Sequence, residues 1–132
     1  GPIGILVNNA GINTSSSKDR RAIHEYSEED WHRILRVDLT GVFVVSQAVV
    51  PSMIERGGGR IVNIASIAGL VPLRLQSAYV AAKAGVVNLS KSMACELGEH
   101  NILTNCVAPG SILTRGTRSL FYANQMAIPQ ES

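Results

Sequence analysis

The sequence has no basic tract, only two cysteines and no uninterrupted apolar run long enough to cross a bilayer. Its formal net charge is +2, which excludes a general electrostatic attraction to nucleic acid. The longest apolar run, residues 42–50, is interrupted by Ser46 and Gln47 and is too short to span a membrane. We therefore predict no nucleic-acid partner and no membrane partner.

The cysteines, Cys95 and Cys106, lie among apolar residues of the sequence. We predict both to be small core residues of a protein from a reducing compartment, the cytoplasm. The chain begins at Gly1, with neither an initiating Met nor a charged segment followed by an apolar signal core. Because it enters an apolar strand almost at once, we expect a piece of a longer protein.

What is present suffices for one core: 132 residues, of which 45% are hydrophobic and 17% charged. The first apolar run lacks alternation, as expected of a parallel strand buried on both faces. The predicted strands are residues 3–8, 60–65 and 102–108, and the predicted helices are a long one that starts after Ser27 and ends before Gly57, and one at residues 77–97. This alternation predicts an α/β fold in which right-handed crossovers build a parallel sheet.

Local signals refine the elements. Ser27 is a candidate cap of the first helix, and Pro51 should kink that helix near its end. The glycines at 57–59 precede a strand, so a helix-to-strand turn is favoured over a phosphate-binding loop. Residues 12–26 are polar and predict an exposed loop beside the site, and a short helix is predicted at 116–124.

Tyr79 and Lys83 lie four residues apart near the start of the second helix, for which Ser77 is a candidate cap. On a helix this spacing places both side chains on one face. A cation within about 4–6 Å favours the phenolate form of a tyrosine, so a Tyr beside a Lys can act as a general acid or base. The same spacing is also ordinary amphipathic patterning, and this motif alone leaves both interpretations open.

Polar or conformationally special residues follow all three predicted strands: Asn8-Asn9-Ala10-Gly11, then Ser66, then Pro109-Gly110. Ligands of open parallel sheets bind outside the carboxyl ends of the strands, so a site is expected at this edge. Taken singly, each motif also suits a simple turn.

The motifs, in this order and spacing, resemble the short-chain dehydrogenases/reductases over residues 3–114. The resemblance rests on the Asn8 motif, on Ser66 thirteen residues before Tyr79, on Lys83, and on Pro109-Gly110 with Ile112 and Thr114 after it. It implies a partial Rossmann-like, doubly wound parallel sheet. It also implies an oxidoreductase that transfers a hydride between NAD or NADP and a carbonyl or alcohol, similar to 3-oxoacyl reductases or to alcohol and polyol dehydrogenases.

The resemblance implies a role for each motif residue. Tyr79 would exchange a proton with the substrate oxygen, Ser66 would hydrogen-bond that oxygen, and Lys83 would favour the phenolate and bind the nicotinamide ribose. Besides Tyr79 and Lys83, the residues expected to line the cofactor are Asn9, Ala10, Gly11, Pro109, Gly110, Ile112 and Thr114.

Asp38 stands where the family usually has Asn. In the family that Asn helps to hold a water in a proton relay toward the lysine. An Asp accepts the same hydrogen bonds but adds negative charge near Lys83. We therefore count Asp38 among the catalytic residues and expect an altered pH dependence of the reaction.

The family's Gly-x-x-x-Gly-x-Gly turn, which cradles the cofactor pyrophosphate, has no counterpart here. We expect residues 1–132 to be the catalytic portion of one Rossmann-like domain, without its dinucleotide-binding N-terminal half and its C-terminal end. The resemblance implies dimers or tetramers formed through both helices, and the apolar face assigned to the second helix is Val86, Leu89, Met93 and Leu97.

The alternative is a truncated or pseudoenzyme fragment that keeps the oligomer-forming helices but does not catalyse. Its unpaired sheet edge would invite pairing with another chain.

Overall fold

A computed structural model describes residues 1–14 and 19–112. Three parallel strands, β1 (Ile5–Asn8), β2 (Gly59–Ile64) and β3 (Ile102–Val107), pair in the order β1-β2-β3. The first helical stretch comprises α1 (Glu28–Leu35), a π-helical turn (Arg36–Thr40) and α2 (Gly41–Arg56), and α3 (Ser77–Leu97) joins β2 to β3. The predicted α/β class and element order are confirmed, whereas the helix predicted at 116–124 lies outside the described residues.

The helix ends partly follow the predicted signals. The Ser27 hydroxyl accepts a hydrogen bond from Asp30 N at 3.3 Å, as expected of a cap. Gly57, with φ of 86°, ends α2 in the left-handed region and turns the chain into β2, as predicted. Ser77, however, is the first residue of α3 and not its cap. Gln76 precedes that helix and makes no side-chain capping bond.

The irregularity of the long helix lies away from the predicted position. Pro51 lies inside α2, whereas the departure from α-helical geometry occurs at Arg36–Thr40. A π-helical turn widens the helix and redirects the side chains within it. Here the turn contains Asp38, which is buried.

Both crossover helices cover the same face of the sheet. Met53 of α2 and Met93 of α3 pack with Ile61 and Ile102 in one core cluster. Two successive right-handed crossovers place their helices on the same side of a sheet, which explains this arrangement.

The opposite face of the sheet is largely exposed within the described part of the chain. The exposed fractions are 68% for Ile5, 54% for Val7, 48% for Leu103 and 47% for Val107. The prediction that the first strand is buried on both faces is therefore wrong for the described residues. An apolar run indicates that both faces of a strand are buried, but it does not show whether the elements that bury them belong to the same stretch of chain.

The face of α3 that was assigned to oligomer contacts belongs in part to the core of this chain. Val86 is fully buried and Met93 is 7% exposed, while Leu89 and Leu97 pack against the core cluster. That assignment is therefore wrong for Val86, which the chain's own core covers. Leu89, Met93 and Leu97 also line an open groove between α2 and α3, so their part in oligomer contacts stays a prediction.

The prediction that both cysteines are core residues is also wrong for Cys95. Cys95 is exposed and Cys106 is half-buried, and both thiols are free. Lys91 and Ser92, one turn before Cys95 on α3, are exposed as well. Apolar neighbours in the sequence therefore did not indicate which helix face Cys95 occupies.

Among the described residues, the helical stretch Glu28–Arg56 is long and apolar enough to cross a membrane by length and composition. It nevertheless contributes Ile34, Val42 and Met53 to the buried core. The expectation of no membrane partner remains a prediction.

Candidate active site

A cleft of about 420 Å³ opens at the carboxyl ends of the strands. It lies where the topology predicts a ligand site, and its volume is within the range of small-molecule pockets, roughly 300–1,000 Å³. Predicted site residues that line it are Asn9, Gly11, Ser66, Tyr79, Lys83, Pro109, Gly110 and Ile112. The fold thus brings together four separate parts of the sequence: the loop after β1, the end of β2, the first turns of α3 and the segment after β3.

Ser66 is held at the cleft by bonds on both sides of it. Ala65 N donates to Val107 O at 2.8 Å, and Ile67 N donates to Pro109 O at 2.9 Å, so the β2–β3 pairing continues past the ends of both strands. The Ser66 hydroxyl oxygen accepts from Ala68 N at 3.1 Å. This contact occupies a lone pair and leaves the hydroxyl hydrogen able to donate into the cleft.

Tyr79 and Lys83 share one face of α3, as their spacing predicted. Lys83 Nζ lies 5.7 Å from the centre of the Tyr79 ring. The ammonium donates to Ile64 O at 3.3 Å, at the last residue of β2. Lys83 is 5% exposed, so its charge lies at the bottom of the cleft and not in solvent.

The π-helical turn places Asp38 against Lys83. One carboxylate oxygen, Oδ2, lies 3.8 Å from Lys83 Nζ. The other, Oδ1, accepts from Ile12 N at 2.7 Å, which ties the loop after β1 to the helix. Oδ2 is buried without a hydrogen-bond partner among the described residues. The sequence-based expectation of a negative charge near Lys83 agrees with this geometry.

Burial raises the pKa of the Asp38 carboxyl above its usual value of 3.8, while the Ile12 N–H and the Lys83 ammonium act in the opposite direction. Asp38 is 1% exposed, which accounts for the dominance of desolvation.

This raised pKa makes the stability of the fold depend on Asp38 in a defined pH window. From pH 3.8, the usual value, up to the higher pKa of the folded state, the folded chain binds more protons than the unfolded chain. The free energy of unfolding therefore falls as pH rises through this window. We expect the stability of wild type minus that of Asp38→Asn to decrease as pH rises above 3.8, measured by urea denaturation at each pH. Asp19→Asn, at an exposed position, is the control, and a difference that grows with pH would contradict the prediction.

Two glycines allow close packing around Lys83. A Cβ on Gly69 would lie 2.6 Å from Lys83 O, and one on Gly85 would lie 2.9 Å from a methyl carbon of Leu39. A larger residue at Gly69 would push α3 away from the Ser66 loop, because it would meet backbone, whereas one at Gly85 would require the Leu39 side chain to shift. These contacts keep the segment of α3 that contains Lys83 in place.

A network of buried amide side chains supports the loop after β1, which lines the cleft. Asn8 Nδ2 donates to Asn63 Oδ1 at 2.8 Å and to Ser46 Oγ at 3.2 Å. Asn63 Nδ2 in turn donates to Ser90 Oγ at 2.9 Å. The network therefore joins β1 and β2 to both helices and positions the Asn9–Gly11 loop that follows Asn8.

Some predicted site residues lie elsewhere. Ala10 lines a neighbouring pocket, together with Val37 and Val42 of the long helix, and not this cleft. Thr114 lies outside the described residues. Asn13 also lines the cleft, although the sequence analysis did not single it out. Its position two residues after Gly11, in a loop expected beside the site, was the available signal.

Comparison with known proteins identifies the class to which this fold and cleft belong. A family model described as short chain dehydrogenase matches residues 1–125. The chain therefore belongs to the short-chain dehydrogenase family.

Named relatives include dehydrogenases and reductases. The chain is 45% identical to trans-4-hydroxycyclohexanecarboxylate dehydrogenase of Sinomonas cyclohexanicum, over 91% of this chain and 44% of the relative. It is also 45% identical to the 3-oxoacyl-[acyl-carrier-protein] reductase FabG of Thermotoga maritima, over 91% of this chain and 47% of the relative. The chain thus spans about half the length of the curated relatives it matches.

Solved structures agree with this assignment. A gluconate 5-dehydrogenase from Burkholderia cenocepacia J2315, crystallised with NADP and tartrate, superposes with a TM-score of 0.84 at 40% identity, over 91% of this chain and 45% of that chain. Levodione reductase superposes with a TM-score of 0.86 at 32% identity, over 98% of this chain and 49% of that chain. The partial Rossmann-like fold is confirmed.

Proposed function

We propose that this chain is the catalytic portion of an NAD(P)-dependent oxidoreductase that acts on a carbonyl or alcohol substrate. The observation that carries the proposal is the cleft in which the Ser66 hydroxyl, the Tyr79 phenol and the Lys83 ammonium lie together. The names of the relatives, which include dehydrogenases and reductases of hydroxy acids and 3-oxoacyl compounds, support it.

The cleft fits one end of a nicotinamide cofactor. Among the described residues, a Cβ on Gly110 would meet nothing within 4 Å. A Cβ on Gly11 would lie 3.3 Å from Lys83 Nζ and would narrow the approach to the ammonium. Asn9, Gly11, Pro109, Gly110 and Ile112 would hold the cofactor beside Lys83, with Ala10 and Thr114 as further candidates. When bound, the cofactor supplies or accepts the hydride.

In the reducing direction, Ser66 donates a hydrogen bond to the carbonyl oxygen and stabilises the negative charge that develops there. Tyr79 gives its proton to the same oxygen as the carbonyl carbon receives the hydride, so the product is an alcohol. Lys83 stabilises the resulting phenolate. The oxidising direction reverses these steps.

Asp38 acts behind Lys83 in this proposal. Its contacts with Ile12 N and Lys83 Nζ hold the ammonium and the loop after β1 in one arrangement. A pH–rate profile left unchanged by Asp38→Asn would remove this role.

The test is nucleotide binding followed by turnover. NADH and NADPH are titrated by fluorescence against the protein expressed from its complete gene. Oxidation of whichever nucleotide binds is then measured in the presence of a ketone. The same titration on the 132-residue chain separates the catalytic proposal from a non-catalytic fragment. Absence of binding by both proteins would contradict the proposal.

We also propose that the protein forms homo-oligomers through α2. Phe43 and Val44 are each 50% exposed and Val45 is 42% exposed, which leaves an apolar patch on that helix. The adjoining groove of about 380 Å³ lies between α2 and α3. In sedimentation velocity, Phe43→Glu is expected to shift the protein to a smaller species, whereas Phe43→Leu keeps the assembly. Equal sedimentation of both variants and wild type would exclude this interface.

A cytoplasmic location is proposed with this function, because the helix of transmembrane length contributes to the core. Recovery of the protein in the membrane fraction of cells would contradict it.

A further inference from the structure

The Asn13 side chain is held at the cleft by a contact that none of the proposed catalytic residues makes. Asn13 Nδ2 donates to Gln76 Oε1 at 2.8 Å, across 63 positions of sequence. Thr14 N donates to Asn13 Oδ1, also at 2.8 Å. Because the Thr14 N–H requires the amide oxygen, these two bonds together determine which way the Asn13 amide faces.

Gln76 is well placed to hold Asn13. It is 7% exposed and directly precedes α3, where its carbonyl oxygen accepts from Val80 N at 3.0 Å. Tyr79 lies in the first turn of that helix, and the Gln76 side chain makes no capping bond to that turn. The buried Tyr26 hydroxyl, near the Ala78 N–H of the same turn, has no well-formed hydrogen bond within the described part of the chain. The Asn13–Gln76 bond therefore couples the cleft loop to the start of the helix that carries Tyr79.

The hydrogen-bonding capacity of Asn13 leaves a donor for a ligand. Its amide carries two N–H bonds, of which one is directed at Gln76. No described residue accepts from the other, and Asn13 lines the cleft. A donor in this position favours a ligand that offers an oxygen acceptor.

We infer that Asn13 is a substrate-binding residue, positioned by Gln76, and that it binds an oxygen of the substrate other than the reacting carbonyl oxygen. The inference rests on the proposed function. It narrows the substrate class to carbonyl compounds with a second oxygen acceptor, such as hydroxy ketones and keto acids.

The test compares two six-carbon ketones in the protein expressed from its complete gene. 5-Keto-D-gluconate and hexan-2-one both have the ketone next to a terminal carbon, but only the first has further oxygens. Asn13→Ala is expected to lower kcat/KM for 5-keto-D-gluconate about 10-fold more than for hexan-2-one, mainly through KM. Asn88→Ala, at an exposed position of α3 outside the cleft, is the matched control.

Variants of Gln76 separate positioning from folding. Gln76→Met removes the acceptor for Asn13 at similar volume and is expected to raise KM as Asn13→Ala does. Gln76→Glu keeps an acceptor oxygen, and its charge is favourable at a helix N-terminus. Its KM for 5-keto-D-gluconate is therefore expected to lie close to that of wild type. Thermal melts identify any variant that fails to fold, and Asn13→Ala, in a half-buried loop position, still tests the inference in that case.

If Asn13→Ala lowers kcat/KM equally for both ketones, or leaves the KM for 5-keto-D-gluconate unchanged, the inference is overturned and the oxidoreductase proposal still stands. A wild-type protein that prefers hexan-2-one would also overturn it. Absence of turnover of any ketone, despite nucleotide binding, would remove the proposed activity itself and this inference with it.

Discussion

Replacement of Tyr79 by Phe is expected to lower kcat for ketone reduction by about 10²–10⁴-fold, the contribution typical of a positioned general acid. The substitution removes only the hydroxyl, so the ring that lies 5.7 Å from Lys83 Nζ stays in place. Steady-state rates, measured with whichever nicotinamide nucleotide binds, give the result.

Nucleotide affinity serves as the internal control for this variant. The remaining cleft residues are unchanged, so Tyr79→Phe is expected to bind the nucleotide within about 3-fold of wild type, less than one hydrogen bond is worth. A Tyr79→Phe protein with more than about a tenth of wild-type kcat would show that the phenol is not the proton donor.

The second large effect concerns the buried pair of Asp38 and Lys83. Asp38→Leu leaves the Lys83 ammonium buried without its carboxylate, and is expected to lower the free energy of unfolding by about 3–5 kcal/mol. Asp38→Leu/Lys83→Met removes both charges. It should recover part of that loss, leaving about 1–3 kcal/mol from the unpaired Ile12 N–H. Urea denaturation of wild type, both single variants and the double variant measures the coupling.

An exposed pair in the same helical stretch provides the comparison. Arg33 and Asp30 form an ion pair with Nη2 and Oδ1 at 3.0 Å, and their side chains are 42% and 35% exposed. Asp30→Ala, which leaves the Arg33 charge in place, should therefore cost at most about 1 kcal/mol. If Asp38→Leu costs no more than Asp30→Ala, the Asp38–Lys83 contact is not a buried charge pair in solution.

Several predictions from the sequence succeeded because they depended on local patterns or on topology. The helix from Ser77 to Leu97 follows from a long apolar stretch without proline, and Tyr79 and Lys83 share its face because helical periodicity is regular. Ser66 and Pro109 lie near each other because parallel strands end at the same edge. Neither inference needed a long-range contact to be known.

The predictions that failed depended on which elements of the fold pack against a given apolar side chain. Cys95 is exposed, Val86 is buried, and Ile5 is exposed, although all three lie in apolar stretches. Apolar character shows that a side chain favours burial, but the partner that buries it is chosen by how the elements pack.

By itself, the sequence determined the α/β order and the parallel sheet, which follow from backbone periodicity and chain direction. The family resemblance, and not periodicity, joined Ser66, Tyr79 and Lys83 into one expected site. Only the tertiary structure decided that the long helix widens at Arg36–Thr40 and that Asp38, expected near Lys83 from the family resemblance, is buried there with one oxygen on Ile12 N. The pairing of Asn13 with Gln76 was decided there as well. Both contacts join residues far apart in the chain, and their geometry depends on how α3 packs against the sheet and the π-helical turn, which no local pattern encodes.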